Sequence, residues 1–429
     1  MYSKISTKTH FLNEKLRITC RLSYNISVLR LIFCTIILSV NLNTAWAGDT
    51  STGGKQWVGT WATARQLVEP NNMPPAPGLS NNTLRQVICV SIGGKRLQMK
   101  FSNEFGKSPL TMKVVQIAVS KGESLIDEST TKMLTFNGLT EVTIQPGTEI
   151  TSDPLSFNLK PRTEVAITIA FGETSPTLTG HPGSRTTSYL IANNQTSKNT
   201  DYTHAINTDH WYVICGMEVE SSASAVAIIG DSITDGRGSG ANKQNRWTDI
   251  FSMNLLKSNP GKQTGVLNLG IGGNCVLRGG LGPTALNRFD HDILQQKGVK
   301  WLIIFEGVND LGSTRDSAAA SKVASGLIAA YKNMITEAHA RGMKVYGGTI
   351  TPIKDSFYYK DFRETARNTV NEWIRKSGNF DAVIDFDKVL EDPKKPFTIL
   401  SEAQSGDNLH PNELGYKLMG EAVNIDLFR

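Results

Sequence analysis

Val226-Ala227-Ile228-Ile229-Gly230-Asp231-Ser232-Ile233-Thr234-Asp235-Gly236 is an apolar run that breaks abruptly at a Gly-Asp-Ser turn. Like Trp301–Phe305 downstream, which is continuously apolar as buried parallel strands tend to be, it reads as a strand. The serine then stands at the C-terminal end of that strand, where open α/β sheets place their sites. A lone serine in such a place is by default a helix cap. It becomes a nucleophile when the chain also supplies a base, an acid that orients the base, and donors for a developing oxyanion.

Working outward from this stretch, the chain has two rhythms. From Ala223 onward it reads as strand, loop, helix. Ala225–Ile229, Val266–Leu269, Trp301–Phe305, Lys344–Ile350 and Ala382–Asp385 are predicted strands. Helices are predicted over Trp247–Lys257, Asp316–Arg341 and Phe362–Lys376, with Gly342 as a C-terminal cap. A last helix is predicted from near Pro411, a favoured first-turn residue. Five β-α units imply an α/β domain, a parallel sheet with helices on both faces. Upstream, Arg96–Ser102, Leu110–Val115, Glu141–Ile144 and Ala166–Phe171 alternate or are rich in β-formers, and turn signals such as Pro146-Gly147 and Lys160-Pro161 separate them. That pattern predicts an N-terminal β-sandwich. Thr174–Thr203 is long and polar and reads as a rim or flap. The boundary falls near Glu220–Ala223, giving a β-sandwich domain over 48–222 and an α/β domain over 223–429.

Residues 1–47 read as a leader. Arg21 and Arg30 precede the apolar run Leu31–Val40, and Ala45-Trp46-Ala47 reads as a small-x-small cleavage site. The run is too short to span a bilayer as a mature helix, so a secretory signal peptide is expected, with an uncleaved anchor as the alternative. The expected location is secreted or periplasmic. The leader holds six of the 45 basic residues and one of the 39 acidic ones, which leaves 39 against 38 and a net charge of +1. The basic character of the whole chain is therefore no argument for nucleic-acid binding. Of five cysteines, Cys20 and Cys34 leave with the leader, while Cys89, Cys215 and Cys275 remain. Three are too few for a disulfide scaffold. Cys89 and Cys215 lie in strand-like runs and either pair or remain two buried thiols. No metal-ligand spacing is present, and neither a metal nor an organic cofactor is expected.

The apparent strand ends of the second half carry unusual residues. After Gly230-Asp231-Ser232 come Asn268-Leu269-Gly270-Ile271-Gly272-Gly273-Asn274, then Glu306-Gly307-Val308-Asn309-Asp310, and Asp407-Asn408-Leu409-His410 before the last helix. In a doubly wound sheet these edges meet in one crevice. Acyl transfer needs a hydroxyl, a base within hydrogen-bond reach and a carboxylate that fixes the tautomer of the base. Ser232, His410 and Asp407 fit these roles, and one turn brings Asp407 to the same side as His410. The Ser232 N–H, the Gly273 N–H and the Asn309 amide are the candidate oxyanion donors. Glycine at 273 lets backbone approach the substrate.

These four blocks, Gly-Asp-Ser, Gly, Gly-x-Asn-Asp and Asp-x-x-His, resemble the SGNH (GDSL-type) hydrolases over roughly Ala225 to Arg429. The resemblance implies a flavodoxin-like α/β/α fold and a serine esterase. It makes Ser232 the nucleophile, Gly273 and Asn309 the block-two and block-three oxyanion donors, and His410 with Asp407 the rest of the triad. Gly272 fits block two less well. A narrower resemblance rests on Val58–Ala62, Phe101–Gly106, Gly230–Gly236 and Ser405–Pro411. These are similar to secreted two-domain members grouped with xylan-degradation enzymes, which implies acetyl groups on plant polysaccharides as substrates.

Competing readings weaken on inspection. Gly270-Ile271-Gly272-Gly273 lacks the third glycine of a dinucleotide loop, and Gly-x-Ser-x-Gly is absent. Asp310 reads as a brace for its loop, and Asp231 and Asp235 as loop hydrogen-bonders. His181, His204, His210, His291 and His339 read as surface or structural residues. Trp61 and Phe357-Tyr358-Tyr359 are candidates for sugar stacking or for packing, and Arg246-Trp247 for pocket lining or core. The expected partner is a small-molecule or polysaccharide ester, with no nucleic acid and no membrane span in the mature chain. The alternatives are a lipid esterase or lysophospholipase, and a non-catalytic carbohydrate-binding protein.

Overall fold

The computed structural model describes residues 54–193, 196, 201–259 and 261–429. The leader and its cleavage site lie outside the described residues. In the first half the main strands are β1 (Gln56–Ala62), β2 (Thr83–Cys89), β3 (Gly94–Ser102), β4 (Leu110–Gly122), β5 (Glu164–Phe171) and β6 (Ile214–Ser221). One antiparallel sheet runs β1-β6-β3 and continues to Leu155–Leu159. A second places β2 beside β5 and β5 beside β4. The period-two pattern predicted from sequence explains both sheets. Leu97, Met99 and Phe101 of β3 and Leu110, Met112, Val115 and Ile117 of β4 turn into one shared apolar core, with polar neighbours between them. Within Thr174–Thr203, read from sequence as a rim or flap, the strands Thr179–His181 and Ser188–Ile191 are buried instead. Thr179–His181 lies between Gln66–Leu67 and Trp211–Tyr212 in a third, small sheet.

The second half is a parallel sheet of β7 (Ser224–Gly230), β8 (Thr264–Gly270), β9 (Val299–Phe305), β10 (Lys344–Gly348) and β11 (Ala382–Ile384), in the order β8-β7-β9-β10-β11. Side-chain alternation on β7 shows why its run is apolar throughout. Ala225, Ala227 and Ile229 enter one core, shared with the helices Ser317–Ala340 and Asp361–Arg375. Val226 and Ile228 enter another, shared with the helices Trp247–Ser258 and Glu413–Ala422. Both faces are thus covered, as an all-parallel sheet requires. Trp247 belongs to this second core, against Phe305 and Phe386. The last helix starts two residues later than predicted, because Asn412 and not Pro411 sets its end by accepting the Gly415 N–H at 3.1 Å.

The halves are not separated by a flexible linker. β6 ends at Ser221 and β7 begins at Ser224, and Lys55–Arg429 is one compact unit. The apolar core of the antiparallel sheets runs without a break into one face of the parallel sheet. β1 lies against β8, where the Val266 N–H donates to Ser91 Oγ at 2.9 Å and the Gly59 N–H to the Lys297 carbonyl at 3.0 Å. Cys89 and Cys215 are free thiols, as is Cys275, and burial pushes each up to about 12.

Gly265 marks a close backbone approach of the two halves, since a Cβ there would stand 2.3 Å from the Gly59 carbonyl oxygen. Gly265→Ala is expected to lower stability by about 1–3 kcal/mol, because backbone cannot move aside as a side-chain tip can. Chemical denaturation of the two proteins measures it, and equal midpoints would contradict the contact.

Candidate active site

Ser232 opens the short helix Ser232–Asp235 directly after β7. Each residue of the turn has a local reason. A Cβ on Gly230 would meet Thr234 Oγ1 at 2.3 Å and the Phe305 carbonyl at 2.7 Å. Asp231 caps the helix, its Oδ1 accepting the Ile233 N–H at 2.9 Å. The Ser232 N–H, at the first position of that helix, donates to no acceptor among the described residues.

His410 reaches this turn from the loop before the last helix. Ser232 Oγ donates to His410 Nε2 at 2.8 Å. Asp407 holds both ends of its own turn: Oδ1 accepts the N–H groups of Leu409 at 3.0 Å and His410 at 2.9 Å, and Oδ2 takes His410 Nδ1 at 2.6 Å. The three-residue spacing read from sequence is this turn. The Nδ1 contact fixes the tautomer that leaves Nε2 free to accept. Burial would raise the Asp407 carboxyl, but these three hydrogen bonds hold it below its ordinary value. Burial drives His410 the other way from a simple ion pair, below its ordinary 6.5, and Arg237 and Arg185 add to that against the opposing pull of Asp407.

The predicted oxyanion donors line the same cleft, which encloses about 400 Å³. Gly273 has φ +70° and its N–H is unengaged among the described residues. Asn309 donates one Nδ2 hydrogen to the Asn274 carbonyl at 2.8 Å and accepts the Tyr358 hydroxyl on Oδ1 at 2.8 Å. These two contacts leave the amide one orientation and one hydrogen to spare. Sequence reasoning placed Tyr358 in a stacking or packing loop and missed this role, because nothing in the chain between 309 and 358 links the two. Phe357 stands 65% exposed at the lip, while Trp61 is buried edge-on against Trp211.

Asp310, read from sequence as a brace for its own loop, instead braces the segment after β8, accepting the N–H groups of Val276 at 2.8 Å and Leu277 at 2.9 Å. Below the loops lies Arg288, which sequence reasoning did not single out. Its guanidinium donates to the carbonyls of Gly230 and Leu269, to Asn274 Oδ1 and to Asp292 Oδ2, and stands 3.7 Å from Glu306. Burial pushes Glu306 up to about 8 and Asp231 up to about 7, and raises Asp310. The antiparallel half forms the opposite wall with Gln66, Asn72, Pro182, Arg185 and His210. Behind that wall His181 is buried in a structural place, with Nε2 at 2.8 Å from Asp235 Oδ1 and Nδ1 at 3.0 Å from the Ala64 carbonyl. A hydroxyl, an imidazole, a carboxylate and three directed N–H donors in one cleft are equipped for acyl transfer.

Residues 228–418 match the model of the GDSL-like lipase/acylhydrolase family. A search of curated proteins gives no match. Among solved structures, the chain is similar to a lipase/acylhydrolase from Enterococcus faecalis at 21% identity, covering 48% of this chain and 94% of that one with a TM-score of 0.37. It is similar to a member of the lipolytic protein G-D-S-L family from Veillonella parvula at 24% identity, covering 47% and 96% with a TM-score of 0.35. A catalytic mutant of an acetylxylan esterase from Geobacillus stearothermophilus matches at 23% identity, covering 47% and 93% with a TM-score of 0.35.

Two outcomes are expected from this geometry. Asn309→Ala lowers kcat on p-nitrophenyl acetate by about 100-fold, and Tyr358→Phe by about tenfold with little change in KM, since the hydroxyl acts through the amide. A Tyr358→Phe enzyme as fast as wild type would remove the brace. Burial lowers His410 from its ordinary 6.5, and as a general base it would act in its neutral form. So kcat/KM should rise with pH through a midpoint below 6.5, and activity should persist into more acid buffers than an unperturbed histidine allows.

Proposed function

From the membership of residues 228–418 in the GDSL-like lipase/acylhydrolase family, which makes the protein a carboxylic ester hydrolase, we propose an exported serine esterase that removes short acyl groups, acetyl foremost, from a carbohydrate. Ser232 attacks the ester carbonyl while His410 takes its proton, and Asp407 stabilises the imidazolium that forms. The N–H groups of Ser232 and Gly273 and the spare Asn309 hydrogen receive the oxyanion. His410 then protonates the leaving alcohol, and water activated by the same imidazole releases the acid.

The observation that carries this reading is the unbroken hydrogen-bond line from Ser232 Oγ through His410 to Asp407, ending beside unengaged N–H donors in an open cleft. The preference for a small acyl group on a polar alcohol is supported by the lining. Gln66, Glu69, Asn72, Arg185, Asp209 and Arg237 offer polar contacts around Ser232, and Leu281, Phe357 and Leu409 are too few to sheath a long acyl chain. The leader read from sequence supports export, and among the described residues no helix is long and apolar enough to cross a membrane.

Initial rates on p-nitrophenyl acetate, butyrate and octanoate test the proposal, followed by acetate release from acetylated xylan. Ser232→Ala is expected to lower kcat by about 10⁴-fold or more, and Asp407→Asn by about 10³-fold or more. Equal rates for wild type and Ser232→Ala would overturn the nucleophile, and a preference for octanoate would overturn the short acyl group.

A further inference from the structure

Two arginines from different segments line the cleft, and triad chemistry uses neither. Arg237 follows the turn at Gly236, which has φ +102°. Its backbone is held on both sides, the N–H donating to the Ser232 carbonyl at 2.9 Å and the carbonyl accepting the Tyr416 hydroxyl at 2.7 Å. Its side chain is exposed to the cleft and has no carboxylate within 4.0 Å among the described residues. Arg185 arrives from the antiparallel half with φ +52°, and its carbonyl accepts the Asn242 N–H at 2.9 Å. Its Nη2 stands 3.6 Å from Asp235 Oδ2, a carboxylate already bonded to His181 through the other oxygen. Its Nε is buried without a hydrogen-bond partner.

Apart from the long contact of Asp235 with Arg185, the acids around the cleft are turned to other partners or to the rim. Glu69 is engaged by the amides of Gln66 at 2.7 Å and Asn72 at 3.0 Å. Asp209 lies at the rim, 71% exposed, 3.7 Å from His210. Asp407 is committed to His410. Both arginines press on His410 and disfavour its charged form. For a neutral ester this is a disadvantage, because an imidazolium must form when Ser232 gives up its proton. An anion between the arginines removes the disadvantage and gains charge-assisted hydrogen bonds from two planar donors.

We infer that the cleft is built for esters that carry an anionic group, a carboxylate or a phosphate, which Arg185 and Arg237 hold while Ser232 meets the ester carbonyl. The inference rests on the esterase reading and narrows it to acidic substrates, such as an acylated uronic acid or an acylated phospho-alcohol. It also assigns the antiparallel half a part in selecting substrate, since Arg185 belongs to it.

The test uses the full chain and matched pairs of acetyl esters. The carboxylate arm compares 3-acetoxybenzoate with its methyl ester, and the phosphate arm compares 3-acetoxyphenyl phosphate with 3-acetoxyphenyl methyl ether. In at least one arm the wild type should prefer the anion by about tenfold in kcat/KM, mainly through KM, and the arm that responds names the group. In Arg185→Gln and Arg237→Gln the ratio of anionic to neutral kcat/KM should fall toward one, Arg237→Lys should restore part of it, and rising salt should erode it. Equal kcat/KM within both pairs overturns the inference and leaves the esterase standing, as does a preference unchanged in the Arg185→Gln/Arg237→Gln double variant. Failure to hydrolyse any of the four overturns the esterase reading itself.

Discussion

The buried guanidinium of Arg288 is the interaction on which the cleft depends. It lies where β7, β8 and β9 end, and each of those strands leads into one component of the site. By donating to the Gly230 and Leu269 carbonyls it fixes the points from which the Ser232 turn and the Gly273 loop depart. By holding Asn274 Oδ1 it also sets the residue whose carbonyl positions Asn309. Asp292, its carboxylate partner, in turn lies 3.7 Å from Arg65 of the antiparallel half. A cation this deeply buried is costly unless every N–H is satisfied, and here partners on several segments satisfy it. The site is therefore held from beneath by one side chain that touches no reacting atom.

The same burial shapes the charge beneath Ser232. Asp231, Glu306 and Asp310 are three carboxyls in a small volume with one arginine among them, and burial drives all three toward their neutral forms. The less such a cluster ionises, the less it opposes negative charge gathering above it. Asp407 is held in the opposite direction by three donors. Environment shifts these aspartates in opposite directions although they are chemically alike.

Much of this was legible in the sequence where the signal is local. The continuous apolar run of β9 and the five repeated β-α units announced a parallel sheet, because both faces of such a strand are covered. Ser232, Gly273, Asn309 and the Asp407–His410 turn could be placed because each sits at a strand end or within one turn of another marked residue. What stayed hidden is contact between distant segments. Tyr358 reaches Asn309 across 49 positions, and Arg288 reaches Gly230 across 58. Pro182 and Arg185 reach the cleft only because the antiparallel half packs on β8, and no periodicity within Thr174–Thr203 encodes that. Asn412 displaced Pro411 as the start of the last helix because a side-chain acceptor was available one residue later.

The continuity of the core across β1 and β8 has an evolutionary consequence. Multidomain enzymes commonly diversify by trading whole domains like cassettes, joined through linkers that tolerate the exchange. Here a replacement front half would have to present backbone without a side chain opposite Gly265, a serine hydroxyl where Ser91 meets Val266, and apolar groups that complete a shared core. In this chain neither half can be exchanged without rebuilding that contact, whereas the loops that border the cleft carry no such constraint.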